Sequence, residues 1–318
     1  MSSLFFLQPC LIAIALGIIS HLAIFIRGEW HMQAPTLVKV HALFAGIIFI
    51  VEHVSYKLDL YASFKVTSCI SISYSTGLFT SILIYRKAFH RLRRFPGPWA
   101  ADATKLWHVW QCRTGKNYLV IENLRKQYGN IIRTGPEELT IIDASVPNAI
   151  DGPNNECSKA VWYDFLLPAI ALNTTRSKSE HDARRRVWDH GFTTKALAVY
   201  DTRVKEYAEL LAARIEELAQ KGEPVNVSDW FYWFTFDVMG EFAFARSFDM
   251  LRNENWHFAV QLLRKAMSLL GPFSAMPWLA QIGFYITPWV TIVRDWQAMM
   301  QWCKDRMGDR ITVPKSSS

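Results

Sequence analysis

"LRKQYGNIIRTGPEELTIID", Leu124 to Asp143, changes its period twice. From Tyr118 to Tyr128, Leu119, Ile121 and Leu124 stand among polar neighbours, the pattern of a helix with one apolar face. Gly129-Asn130 supplies a stop. Ile131 to Thr134 then reads as a strand and Gly135-Pro136-Glu137-Glu138 as a turn with proline at its favoured second position. Leu139 to Ile142 reads as the returning strand. A helix that feeds one hairpin, in a chain otherwise patterned for helices, predicts a mainly α fold with a small β part (α+β).

Upstream of the hairpin, Phe95-Pro96-Gly97-Pro98 reads as a stiff, extended segment, because proline fixes φ and disfavours helix in the residue before it. An ordinary linker fits those four residues equally well. Before it lies a basic cluster, Arg86, Lys87, Arg91, Arg93 and Arg94, and before that an apolar region with few charges. The chain has 318 residues, 51% of them hydrophobic, which excludes a disordered chain. Its net charge of +7 does not point to nucleic acid. Acidic and basic residues are mixed beyond the cluster, and the cluster itself reads as the flank of a membrane segment.

Leu4 to Ile26 carries no charge until Arg27 and is long enough to span a bilayer, which needs about 20 residues. A cleaved signal peptide is the rival reading. It lacks a basic segment before the apolar run and a small-x-small site after it. Val66 to Tyr85 is a second uncharged run, softened by Ser and Thr. Val40 to Val51 is apolar but short, hemmed by Lys39 and Glu52. The expectation is a three-span anchor over 1–94. The basic flank on the cytosolic side then leaves the N-terminus lumenal and residues 95–318 cytosolic. Five cysteines, Cys10, Cys69, Cys112, Cys157 and Cys303, form no CxxC or His/Cys metal spacing. No metal site of zinc type and no disulfide framework is expected.

Downstream, Val204, Tyr207, Ala208, Leu211, Ile215 and Leu218 recur at helical steps, closed by Lys221-Gly222. Ser228 is the expected cap of the next helix, on which Asp237 and Glu241 read as a solvated pair rather than as acid–base carboxylates. Asn255 to Leu270 and Pro288 to Met307 read as two further amphipathic helices. Gly271 to Thr287 between them is an apolar connection, expected to be buried or to lie against a membrane or ligand.

"EHDARRRVWDHGF", Glu180 to Phe192, places His181, Arg185 and Trp188 near one helical face and turns Arg184 and Arg186 elsewhere. Guanidinium and imidazole suit a planar anion. A solvated basic helix is the plainer reading of this stretch taken alone.

The order of "RFPGPWAA", the hairpin stretch, "GPNNECSKAVWYDFL", "TTRSKSEHDARRRVWDHGF" and "DVMGEFAFARSFDML" resembles fungal cytochrome P450 monooxygenases from Phe95 to about Ile311. With the three-span leader it looks most similar to the tryprostatin B 6-hydroxylase subgroup. The resemblance implies an anchored, incomplete P450 fold over 95–318, running from the A helix to about the G helix. It implies haem b, whose propionates would be held by His181 and Arg185, the former standing where the family pattern has tryptophan. It implies NADPH supplied through cytochrome P450 reductase, docking at Arg184 and Arg186. It also implies a lipophilic substrate, such as an indole alkaloid, in a pocket shaped by 157–172 and 273–286, with Trp162, Phe165, Leu166 and Phe273 as its candidate residues. The implied location is the endoplasmic reticulum membrane.

None of the five cysteines has the sequence context of the family's iron ligand, so no catalytic residue is assigned. The expectation is an incomplete form of the enzyme, poorly stable, haem-free and inactive alone. The competing expectation is a non-catalytic membrane protein that binds a partner such as the reductase through its basic helix.

Overall fold

The computed structural model describes residues 3–152, 155–168, 170–273 and 275–312. Its contacts form two compact units, one of the described residues of Met1–Pro168 and Gly271–Ile286, the other of those of Ala169–Leu270 and Thr287–Ser318.

The first unit opens with three long helices: α1 (Ser3–Ser20, continued by a wider turn over His21–Phe25), α2 (Ala34–Val54) and α3 (Leu60–Ile84, continued over Tyr85–Phe89). Each contains a stretch long and apolar enough to cross a membrane: Leu7–Phe25, Ala34–Val54 and Leu60–Phe89. The middle helix is longer than its uncharged run suggests. Lys39 and Glu52 lie inside it near its two ends, where long charged side chains can reach polar surroundings.

α1 and α3 run parallel. Gly77 lies against the backbone of Ile14, Gly17 against that of Tyr74 and Leu78, and Nδ1 of His21 meets Oγ of Ser81 at 2.8 Å. Residue numbers therefore rise together along the two helices. A Cβ at either glycine would strike backbone, so the close approach depends on both. Parallel outer helices require α2 to run back between their opposite ends. The connection at 26–33 and the exit at 85–94 therefore lie at the same end of the bundle.

That exit is rigid. A short helical turn, Arg91–Arg94, leads to α4 (Trp99–Ala103), α5 (Leu106–Cys112) and α6 (Asn117–Tyr128). β1 (Ile131–Gly135) and β2 (Glu138–Ile141) pair antiparallel, with a register shift between Arg133 and Gly135 that admits the Pro136 turn. Gly97 abuts the Arg133 carbonyl, leaving no room for a Cβ, and the Arg133 amide donates to the Pro96 carbonyl at 2.7 Å. The Phe95–Pro98 segment is thus bound to the hairpin rather than free to swing. The unit is completed by α7 (Val146–Asp151) and a helical turn at Val161–Leu166.

In the second unit, α8 (Lys178–Asp189) is capped by Ser177, whose hydroxyl accepts from the Glu180 amide at 3.4 Å. α9 (Thr194–Lys221) ends at Gly222, left-handed at φ 68°. α10 (Val227–Phe244) starts at Asn226, not at Ser228: the Asn226 amide donates to Asp229, and Ser228 lies inside the first turn. α11 (Met250–Asn253) and α12 (Phe258–Phe273) follow, the latter starting later and running further than its sequence pattern suggests. Leu211, Trp230, Trp233, Met250, Leu251 and Val260 form the core of this unit. Each large apolar group buried there contributes roughly 1.5–3 kcal/mol.

The apolar connection contains a helix of its own, α13 (Pro277–Ile286), whose Pro277, Ala280 and Gln281 are buried. It belongs to the first unit and packs on α2. The last helix, α14 (Thr291–Thr312), belongs to the second unit.

Candidate functional site

α8 carries the candidate anion donors. Its sequence is almost wholly polar apart from Ala183, Val187 and Trp188, and none of its residues is buried. His181 and Arg185 sit one turn apart and each already meets a carboxylate. Nδ1 of His181 lies 3.1 Å from Oδ1 of Asp182, and Nε of Arg185 donates to Oδ1 of Asp189 at 2.7 Å. The donor set thus suits carboxylates, such as those of haem propionates. At 62% exposure the Arg185 side chain is free to exchange Asp189 for a ligand at little cost, because exposed ion pairs contribute less than about 1 kcal/mol. Trp188 stacks on Phe192, ring centres 6.3 Å apart, and both are exposed. Arg184 and Arg186 are exposed too, but Arg184 donates to the Ile170 carbonyl at 3.4 Å.

The candidate pocket residues separate. Trp162 is exposed and meets Tyr163 edge-on; Phe165 is fully buried and packs edge-to-face on Phe284 at 6.3 Å. The side chains of Leu166 and Phe273 lie outside the described residues. The five cysteines are free thiols. Burial pushes the Cys112 and Cys303 thiols up, favouring their neutral form.

Two polar groups escape the sequence reading. Asp237 is not solvated: it is 1% exposed and accepts from the Met250 and Leu251 amides at 3.0 and 2.9 Å, capping the first turn of α11. Burial pushes its carboxyl up, against the pull of those two amides. Glu241, one turn on, pairs with Arg203. An aspartate used as a distant cap leaves no local pattern, because its partners arrive only when the chain reverses between α10 and α11. Phe244, Phe248, Phe258 and Trp302 line a cleft of about 200 Å³ with Arg246, Arg306 and His257. Burial lowers the His257 pKa there and so favours the neutral ring.

The helix-rich fold, with one hairpin among the described residues, agrees with one family. The sequence profile of cytochrome P450 matches residues 96–316, and the chain belongs to that family. Among its curated relatives are cytochrome P450 monooxygenase FCK2 of Fusarium pseudograminearum, 38% identical over 83% of this chain and 48% of the relative. Tryprostatin B 6-hydroxylase of Neosartorya fischeri is 35% identical over 94% of this chain and 55% of the relative. Cytochrome P450 monooxygenase notG' of Aspergillus versicolor is 35% identical over 94% and 54%. The chain spans about half the length of the curated relatives it matches. No solved structure matches it at a significant level.

Proposed function

We propose that residues 95–318 form the propionate-binding and substrate-covering part of a haem monooxygenase of fungal secondary metabolism, with 1–94 as its three-span anchor. The observation that carries this reading is the pair His181 and Arg185, one turn apart on an exposed helix and each already holding a carboxylate, in a chain of the P450 family. In this reading Arg185 would exchange Asp189 for a haem propionate through its planar donor fork, and His181 would add a further donor. Haem, when bound, supplies the activation of dioxygen, with electrons from NADPH through a reductase. Arg184 and Arg186 offer positive charge to that acidic partner. The 157–172 and 273–286 segments cover a lipophilic substrate. Relatives named for tryprostatin B hydroxylation make an indole alkaloid the favoured class. In this reading the basic flank and the 26–33 connection face the cytosolic side of the endoplasmic reticulum membrane, an orientation that the positive charge of the flank supports.

No cysteine of this chain is proposed as the iron ligand, so this chain by itself holds haem weakly and without thiolate character. The same exposed arginines favour a second role, reductase binding without catalysis. Titrating the full chain in lipid discs with ferric protoporphyrin IX and with its dimethyl ester separates these. Weak binding, lost with the ester and reduced at least tenfold by Arg185→Ala, is expected. Equal binding of acid and ester would remove the propionate role. A thiolate-type carbon monoxide band would show that one of the five cysteines does ligate iron. Reductase capture with no porphyrin binding would favour the second role.

A further inference from the structure

The connection between the first two spans does more than join them. Within 26–33 the chain folds on itself. Gly28 adopts a left-handed φ of 77°, the Trp30 indole donates to the Arg27 carbonyl at 2.7 Å, and Trp30 packs edge-on against Phe25 at 5.3 Å. The result is a small, stiff knob on the end of the anchor. From it Nε2 of His31 donates to Oδ2 of Asp164 at 2.8 Å, with the two side chains only 9% and 13% exposed. The partners are 133 residues apart in sequence. α13 packs on the His31–Gln33 turn, on α2 and on the Val161–Leu166 turn, so one helix touches all three. Phe165 against Phe284 ties that last turn to α13. Gln281 on the same helix is wholly buried, and neither of its amide atoms has a hydrogen-bond partner among the described residues. An amide left so costs roughly 1–3 kcal/mol unless a bound molecule supplies a donor or acceptor. The neighbouring Glu29 is exposed and brings a third oxygen within 4.8 Å of this pair. The direct His31–Asp164 hydrogen bond already accounts for the closeness of the other two.

The geometry points to residues 27–33 as part of the mouth through which a lipophilic substrate passes from the bilayer, with the His31–Asp164 hydrogen bond as the latch that closes it. The inference rests on the reading of 157–172 and 273–286 as the pocket cover. Asp164 and α13 belong to those two segments, and α2, which α13 also touches, is a span that starts at Ala34, directly after the knob. A molecule dissolved in the bilayer therefore meets the cover where the anchor holds it. Opening the latch removes the direct hydrogen bond between 161–166 and the knob and leaves α13 as the bridge between them. Gln281 stands ready as the polar contact for a ligand that has entered.

The full chain in lipid discs tests this with two readouts. Amide hydrogen exchange at 161–166 and 277–286 is compared for the parent, His31→Asn, Asp164→Asn, the double variant and the exchanged pair His31→Asp with Asp164→His. A phenyl-trifluoromethyl-diazirine dissolved in the bilayer reports access by photolabelling the same segments. Each single variant is expected to raise exchange at least fivefold in 161–166 and to raise labelling, the double to add nothing, and the exchanged pair to restore both. Unchanged exchange in every variant overturns the latch. Faster exchange with equal labelling in parent and variants overturns the access role while leaving the pocket cover standing. An absence of labelling in all forms overturns the pocket reading itself and the access role with it.

Discussion

Two arginines show how differently this chain uses the same side chain. Arg133 on β1 is 1% exposed; Arg185 on α8 is 62% exposed. Arg133 donates to the Pro136 carbonyl at 2.7 Å and the Arg86 carbonyl at 3.2 Å, and faces Asp102 at 3.6 Å, an ion pair too long to be a hydrogen bond. It thereby joins the end of the third span, the proline segment and the hairpin. Arg185 holds one exposed carboxylate one turn away. A buried charge persists only when surrounded by partners, and then its loss is expensive. An exposed charge with a single weak partner contributes little to the fold and remains free for a ligand. The first arginine is architecture, the second is available for function.

The contrast can be broken by substitution. Arg133→Met should cost about 3 kcal/mol, because it leaves two carbonyls and Asp102 in a closed space without their cation. Chemical denaturation in detergent followed by hydrogen exchange at β1 would measure it; a cost under about 0.5 kcal/mol, the usual range of surface changes, would mean the junction is not locked. Asp237→Asn extends the rule to the second unit. Asn has one oxygen for the two amides that Asp237 serves, so a loss of about 2 kcal/mol is expected, read in the same way.

Acid should act on the junction in a definite direction. Burial, then the charge of Arg133, lowers the His90 pKa from its ordinary 6.5. The folded state keeps this ring neutral where the unfolded chain takes a proton, so the unfolded state binds more protons below pH 6.5. Stability contributed by neutral His90 is therefore present above that pH and is lost as pH falls through the window beneath it. His90→Gln should flatten the fall between pH 7 and 5, and an unchanged profile would place its source elsewhere. His108 and His257, also lowered by burial, act in the same direction. The smallest effect is expected of Arg185→Ala, within about 0.5 kcal/mol of the parent in the same denaturation experiment. A large loss there would make α8 a structural helix rather than an open site.

Which parts could be seen in advance follows from the range of the interactions. The hairpin was legible because its period and its turn residues are local. So was α9, whose apolar stripe and closing glycine lie in one stretch. The second span was blurred by Lys39 and Glu52, which a short window counts against a membrane but which sit near the helix ends. Asp237 was misjudged because helical spacing describes its own helix and says nothing of the amides that α11 brings to it. The contact of His31 with Asp164 had no signal at all, since neither neighbourhood carries a motif. The candidate anion donors were legible as residue types, while their pairing with Asp182 and Asp189 needed the coordinates.

The direct test of the account is amide hydrogen exchange of the full chain in lipid discs, with and without ferric protoporphyrin IX, read at 131–135 and at 178–189. The hairpin should exchange slowly in both states, and α8 should exchange fast alone and slow when the porphyrin is added. An α8 as protected as the hairpin from the start, or one indifferent to the porphyrin, would contradict the assignment of its exposed donors to the propionates.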